Sequence, residues 1–237
     1  MDRGDPPGAT AAATWRSAST DPAAERTGQA ADHRPRLGTD RIDLYLLHRP
    51  DPSTPIAETL DALALAVKAG KVREIGCSNF TAAQLREADA AAGDGPRFVC
   101  VQNHYNLLRR DDEADVMPLC RDLGVAYLPY FPLASGVLTG KYVRGEKPPV
   151  GTRLERWGDR AARALNDTTF DKVEALAAWA AKHDHTVLDV AFAWLIAQPE
   201  VSSVIAGATT PGQVTANAAA GRWTLSRQQV DEINALT

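Results

Sequence analysis

Cysteine is scarce: the 237-residue chain holds three, Cys77, Cys100 and Cys120. An odd number at irregular spacing fits neither a disulfide framework nor a zinc knuckle, so they are expected to be buried, inert thiols. Long apolar runs are missing too. No window approaches the roughly 18 residues that a spanning helix requires, and the start of the chain lacks the apolar stretch of a secretory signal. Neither sign of charge dominates, with 26 Lys and Arg against 30 Asp and Glu and a net charge of −4. That balance gives no sequence-wide reason to expect nucleic acid or a membrane as partner, and it leaves the cytoplasm as the default compartment.

The sharpest absence is local. Residues 1–36 contain no Ile, Val, Leu, Phe or Tyr. Such a stretch cannot bury enough apolar surface to offset ordering its backbone, so it is expected to be a largely disordered, low-complexity segment with Trp15 as its one large anchor. Asp2, Asp5, Asp21 and Glu25 make it too acidic for a transit peptide. The folded domain is expected over 37–237.

From Leu37 onward, short apolar runs alternate with amphipathic stretches. Residues 43–48, 74–79, 98–103, 125–130 and 201–208 read as buried strands. Helices are expected near 54–69, 81–92, 112–123, 170–182, 187–198, 211–220 and 226–236. Thr81 with Gln84 and Ser226 with Gln229 form capping boxes, and Thr210 caps a helix that opens on Pro211. Strand followed by helix, repeated, predicts a parallel sheet with its C-terminal strand ends on one face, where α/β folds bind ligands. Polar residues gather at those ends: His48, Ser78 and Asn79, Gln102 and Asn103, and Tyr130. His48 shares a strand face with Leu44 and Leu46. Beyond the last run, Gly207, Ala208, Thr209 and Thr210 lead into a helix N-terminus suited to an anion. The long stretch 136–163, with Lys141, Arg144, Lys147, Arg153, Arg156, Arg160 and Arg163, reads as a basic covering loop. His183 and His185 read as a surface cluster rather than a metal site, and alternation does not settle the direction of His104.

These residues resemble the aldo-keto reductases in an ordered series from about Leu37 to Leu236. Leu37–His48 is similar to that family's fourth strand and its catalytic histidine. Gly76-Cys77-Ser78-Asn79-Phe80 is similar to the fifth strand, Val101-Gln102-Asn103 to the sixth, Pro129–Gly136 to the seventh, and Gly207-Ala208 with Gln213 and Asn217 to the eighth strand and its helix. The resemblance implies an α/β (β/α)₈ barrel, NADP(H) as cofactor, and hydride transfer with a small-molecule carbonyl or alcohol substrate. It implies that Ser78, Asn79 and Gln102 bind the nicotinamide amide and that Tyr130 stacks on the ring. Phe131, Pro132, Leu133, Ala134, Ser135, Gly136 and Leu138 would then follow the pyrophosphate and ribose. By likeness to the branch related to potassium-channel β subunits, Lys141 and Arg153 match phosphate contacts. Gly207, Thr209, Gln213 and Asn217 match the adenosine end. Ala216 stands where that branch often has an acidic residue, and Phe131 where it often has serine.

The family's chemistry uses a tyrosine, a lysine, an aspartate and a histidine, of which only His48 finds a match. Residues 1–36 contain neither tyrosine nor lysine. The expectation is therefore an incomplete TIM barrel containing roughly units 4 to 8, N-terminally truncated and impaired in turnover. Its open edges would invite self-association. The second reading is a non-catalytic NADP(H)-binding or interaction protein, a truncated pseudoenzyme.

Overall fold

Alternating apolar and amphipathic runs become alternating strands and helices in the computed structural model, which describes residues 12–14 and 38–237. The chain divides into two compact units. One comprises Met1–Gln102 with Leu119–Ala126, the other Asn103–Pro118 with Tyr127–Thr237.

The first unit carries β1 (Ala12–Thr14), β2 (Ile42–Leu47), α1 (Ile56–Lys68), β3 (Val72–Ser78), α2 (Ala82–Ala92) and β4 (Phe98–Gln102). These strands pair in parallel, each with the next in the chain. The pairs Leu47 with Cys77 and Ser78 with Gln102 bring the C-terminal ends into line. Ile42, Tyr45, Leu46 and Leu47 are all at most 4% exposed, as expected for a strand covered on both faces. Gly76 is dictated by space, since a Cβ there would lie 2.5 Å from both Cys100 Sγ and Leu46 Cδ2. The three cysteines are buried and form no disulfide. Thr81 and Gln84 form the predicted capping box at α2.

Strand β1 is the first departure. Its three residues lie in the segment expected to stay disordered, yet they pair with Leu44, Tyr45 and Leu46 of β2. Backbone hydrogen bonds to a neighbouring edge need no large side chain, so apolar scarcity did not forbid this strand. The rest of that expectation concerns residues outside those described.

The chain passes between the units within α3 (Val116–Leu123) and β5 (Ala126–Tyr127). The second unit holds α4 (Arg153–Trp157), α5 (Asp167–Ala181), α6 (Val187–Ile196), α7 (Pro211–Ala220) and α8 (Arg227–Asn234), with 3₁₀ turns at Asp111–Glu113, Ala134–Thr139 and Gly158–Arg163. Its core centres on Trp194, Tyr105 and Tyr127, each fully buried. Caps at Thr210 and Ser226 are as predicted. A third capping box, Thr186 with Asp189, starts α6.

Two predicted strands shrink. The run 125–130 keeps regular structure only at Ala126–Tyr127, with a bridge at Tyr130. Pro129, which has no N–H to donate, interrupts it. The run 201–208 reduces to the bridges Tyr127 with Val201 and Tyr130 with Ile205. Three positions separate the two tyrosines while four separate their partners, so the register slips and no continuous ladder forms. Residues 112–123 split into a 3₁₀ turn and α3, and the covering loop contains α4.

Candidate functional site

In the first unit, β2, β3 and β4 deliver His48, Ser78 and Gln102 to one edge, and Asn79 ties that edge together. Its backbone lies in the left-handed region at φ 61°, which asparagine tolerates better than most residues. There its Nδ2 donates to the His48 carbonyl at 2.9 Å and to Ser78 Oγ at 3.1 Å. Its backbone N–H donates to the Gln102 carbonyl at 3.1 Å. The buried Ser78 hydroxyl donates to the same carbonyl at 2.5 Å. Thus the four residues matched from this unit meet in one hydrogen-bonded cluster, with the His48 and Gln102 side chains half-buried beside it.

In the second unit, the matched segment after Tyr130 is strained. Phe131, Ala134 and Ser135 have φ of 55°, 45° and 60°, followed by Gly136 at 93°. Each non-glycine residue in that region costs about 1–2 kcal/mol, and such strain gathers at ligand-binding segments. Neighbouring groups hold it in place. Asn106 Nδ2 donates to the Phe131 carbonyl at 2.9 Å. The N–H groups of Gly136 and Leu138 donate to the Leu133 carbonyl, and Pro132 and Leu138 are buried beneath.

Both cations matched to phosphate contacts rest on this loop. The Arg153 guanidinium lies 5.4 Å over the Phe131 ring, an attraction that replaces the missing serine hydroxyl with a cation–π contact. Lys141 crosses Gly136 so closely that a Cβ there would be 2.6 Å from its Nζ. At α7, the Gln213 side-chain oxygen accepts from the Thr209 N–H at 2.7 Å and from its hydroxyl at 3.1 Å, while Thr210 caps the Gln213 N–H. Gly207 is exposed with open space about its α-carbon, and Asn217 lies nearly two turns into the helix, half-buried.

Other basic residues are engaged within the protein. Arg144 reaches Asp167 at 3.1 Å, Asp171 at 2.6 Å and Glu174 at 3.0 Å, which fastens the long loop to α5 rather than offering a free cation. His183 stacks on Trp179 with centroids 4.0 Å apart, and His185 on Trp223 at 3.7 Å. The two histidines serve an aromatic surface stack. Among the described residues, no group of three or more His, Cys, Asp and Glu is placed to hold a metal, and no helix is long and apolar enough to cross a membrane.

Beside the matched set lies His104, whose direction alternation leaves open. His104 stacks on Tyr130, with centroids 5.3 Å apart and planes 23° from parallel. Arg109 Nη1 lies 3.0 Å from its Nδ1 and Asn106 Nδ2 lies 3.2 Å from its Nε2, so donors face both ring nitrogens. Burial first, and then the Arg109 charge, push its pKa down to about 4, with Asp111 opposing. The unfolded chain takes up a proton near pH 6.5 that the folded imidazole refuses until about pH 4. His104 therefore contributes stability fully present above pH 6.5 and lost as pH falls toward 4. Allowing for solvent screening at this half-buried position, we expect a loss of about 1 kcal/mol between pH 7 and pH 5. Urea midpoints at the two pH values check this, and His104→Gln is expected to flatten the difference.

Residues 14–237 match the model of the aldo/keto reductase family. The chain is 37% identical over 188 residues to the probable voltage-gated potassium channel subunit beta of Oryza sativa subsp. japonica, covering 77% of this chain and 57% of that protein. It is 36% identical over 188 residues to the NADH-specific methylglyoxal reductase of Escherichia coli (strain K12), covering 78% and 56%. The solved glycerol dehydrogenase of Gluconobacter oxydans aligns with a TM-score of 0.78 at 28% identity, covering 91% of this chain and 64% of that one. The chain belongs to the aldo/keto reductase family and has that family's α/β TIM-barrel fold. It spans a little over half the length of these curated relatives. The match starts at residue 14, upstream of Leu37, where the sequence motifs begin.

Proposed function

We propose that this chain is an oxidoreductase of its family that binds NADP(H) and works on a small aldehyde, ketone or alcohol. The observation that carries this reading is the strained segment Phe131–Gly136, held in costly backbone geometry with Arg153 and Lys141 laid against it. The residues suit the cofactor by chemistry. Ser78, Asn79 and Gln102 offer hydroxyl and amide groups for a carboxamide, and Tyr130 offers a flat ring. The loop offers close backbone approach, and Lys141, Arg153 and the α7 start offer positive ends for phosphates. When bound, the cofactor supplies or accepts hydride. His48, at the end of β2, orients the substrate oxygen.

NADP(H) is preferred over NAD(H) on the strength of the matched cations, although one relative is named as NADH-specific. A cytoplasmic location agrees with three buried cysteines that form no disulfide. The second reading, NADP(H) binding without turnover and with self-association as a further outcome, is favoured by one observation. Of the family's four catalytic side chains, only His48 is matched in these residues, and lack of a positioned general acid costs a factor of about 10²–10⁴ in rate.

Titration with NADPH, followed by nicotinamide fluorescence, tests the binding. Saturation is expected, with NADPH bound about tenfold or more tightly than NADH. No change at millimolar NADPH overturns the proposal. Turnover of 4-nitrobenzaldehyde then separates the readings, since steady reduction supports catalysis and binding without reduction supports the second.

A further inference from the structure

We infer that His104 is a positioning residue for Tyr130, a flat backing that sets the plane against which the nicotinamide stacks; this rests on the cofactor reading above. The backbone bridge between His104 and Tyr130 makes them cross-strand neighbours in register, so both side chains leave the same face. Tyr130's N–H donates to the Asn103 carbonyl at 2.9 Å, fixing the approach. The two rings form a near-parallel stack, an arrangement worth more than its buried area alone. Phe131 closes the cluster edge-on, 5.3 Å from His104 and 5.2 Å from Tyr130.

His104 is itself fixed from behind. Asn106, only 1% exposed, accepts from the Leu108 N–H and donates to the Phe131 carbonyl, with the same Nδ2 3.2 Å from His104 Nε2. Arg109, paired with Asp111 at 3.4 Å, stands at Nδ1. One buried asparagine therefore anchors both the backing ring and the carbonyl of the strained residue that follows Tyr130. Packing against a fixed ring restricts the Tyr130 side-chain torsions, and a ring already held in plane has less freedom to lose when a flat ligand arrives. Burial, and then the Arg109 charge, also keep the backing ring uncharged, which suits an oxidised nicotinamide ring carrying positive charge.

The test uses the full chain, NADPH, and 2′,5′-ADP, which has the phosphates of the adenosine end but no nicotinamide. His104→Ala is expected to weaken NADPH by about three- to tenfold while leaving 2′,5′-ADP unchanged. His104→Phe, which restores a flat ring without ring nitrogens, is expected to bind NADPH within about twofold of the parent. Equal weakening of both ligands in His104→Ala, or no weakening of NADPH, overturns the inference. Tighter NADPH binding also overturns it, because His104 would then occupy the face meant for the nicotinamide. Where His104→Ala does not fold, His104→Phe decides: loss of NADPH with 2′,5′-ADP retained refutes the stacking role, and retention of both supports it. A parent chain that binds neither compound overturns the cofactor reading and this inference with it. A parent that binds both, with unchanged variants, overturns this inference alone.

Discussion

Trp194→Ala is expected to destabilise the second unit by about 3–5 kcal/mol, the range for truncating a large, fully buried aromatic side chain. Trp194 has no exposed surface and lies within α6, which is apolar nearly all round. Its ring stacks on Tyr105 at 5.3 Å and lies under the Arg110 guanidinium at 5.1 Å. Its Nε1–H donates to Asn234 Oδ1 of α8 at 2.9 Å. Truncation therefore opens a cavity and removes the platform beneath a polar network. In that network, Arg110 grips Glu113 with Nε at 2.7 Å and Nη2 at 2.9 Å, and the Tyr105 hydroxyl donates to the same carboxylate at 2.7 Å. Burial pushes the Glu113 carboxyl up, but the Arg110 and Tyr105 hydrogen bonds together outweigh it and hold its pKa below the usual value. A carboxylate stabilised this way depends on partners kept in place, so loss of the indole floor is felt there as well. Trp194→Phe keeps most of the volume and loses the bond to Asn234, for an expected cost of about 1–2 kcal/mol. Equilibrium urea unfolding of both variants checks the order. A Trp194→Ala protein within about 1 kcal/mol of the parent would contradict it.

Where local rules govern, the sequence was readable. Helix starts at Thr81, Thr210 and Ser226 follow from side chains that bond the first free N–H groups, and all three caps are present. The apolar runs that form β2, β3 and β4 signal strands because covered parallel strands are apolar on both faces. Residues 201–208 carry an equally apolar signal without becoming a strand, since a ladder depends on its partner's register, which composition does not reveal. The thin strand β1 is the converse, backbone pairing with no side-chain signature. At the site, the family resemblance singled out Ser78, Asn79, Gln102 and the Phe131–Gly136 segment; the structure joins the first three in one hydrogen-bonded cluster and holds Phe131, Ala134, Ser135 and Gly136 of the segment at positive φ. The anchoring role of Arg144 was not legible because its partners Asp167, Asp171 and Glu174 lie far along the chain, on a helix turned toward it. The direction of His104 stayed open for a similar reason: it is set by the register with Tyr130, a relation fixed by pairing rather than by neighbouring residues.

Asn79→Leu is the second large effect, expected to cost about 2–3 kcal/mol and to weaken NADPH by tenfold or more. Two losses combine. Leucine at φ 61° pays about 1–2 kcal/mol for the left-handed backbone. The variant also gives up the donor to the His48 carbonyl and to Ser78 Oγ, exposed enough that each is worth about 1 kcal/mol or less. Asn79→Gly separates the two, since glycine adopts the same backbone without steric cost and loses only the side-chain bonds. It should therefore recover about half of the stability, measured by urea unfolding, while NADPH affinity stays low. That split follows from the geometry: the backbone turn closes β3 with a bond to Gln102, whereas the amide holds the end of β2 in register with it. If Asn79→Gly bound NADPH as well as the parent does, the side chain would be a fold element alone, and the cofactor's carboxamide would have to be held by other groups.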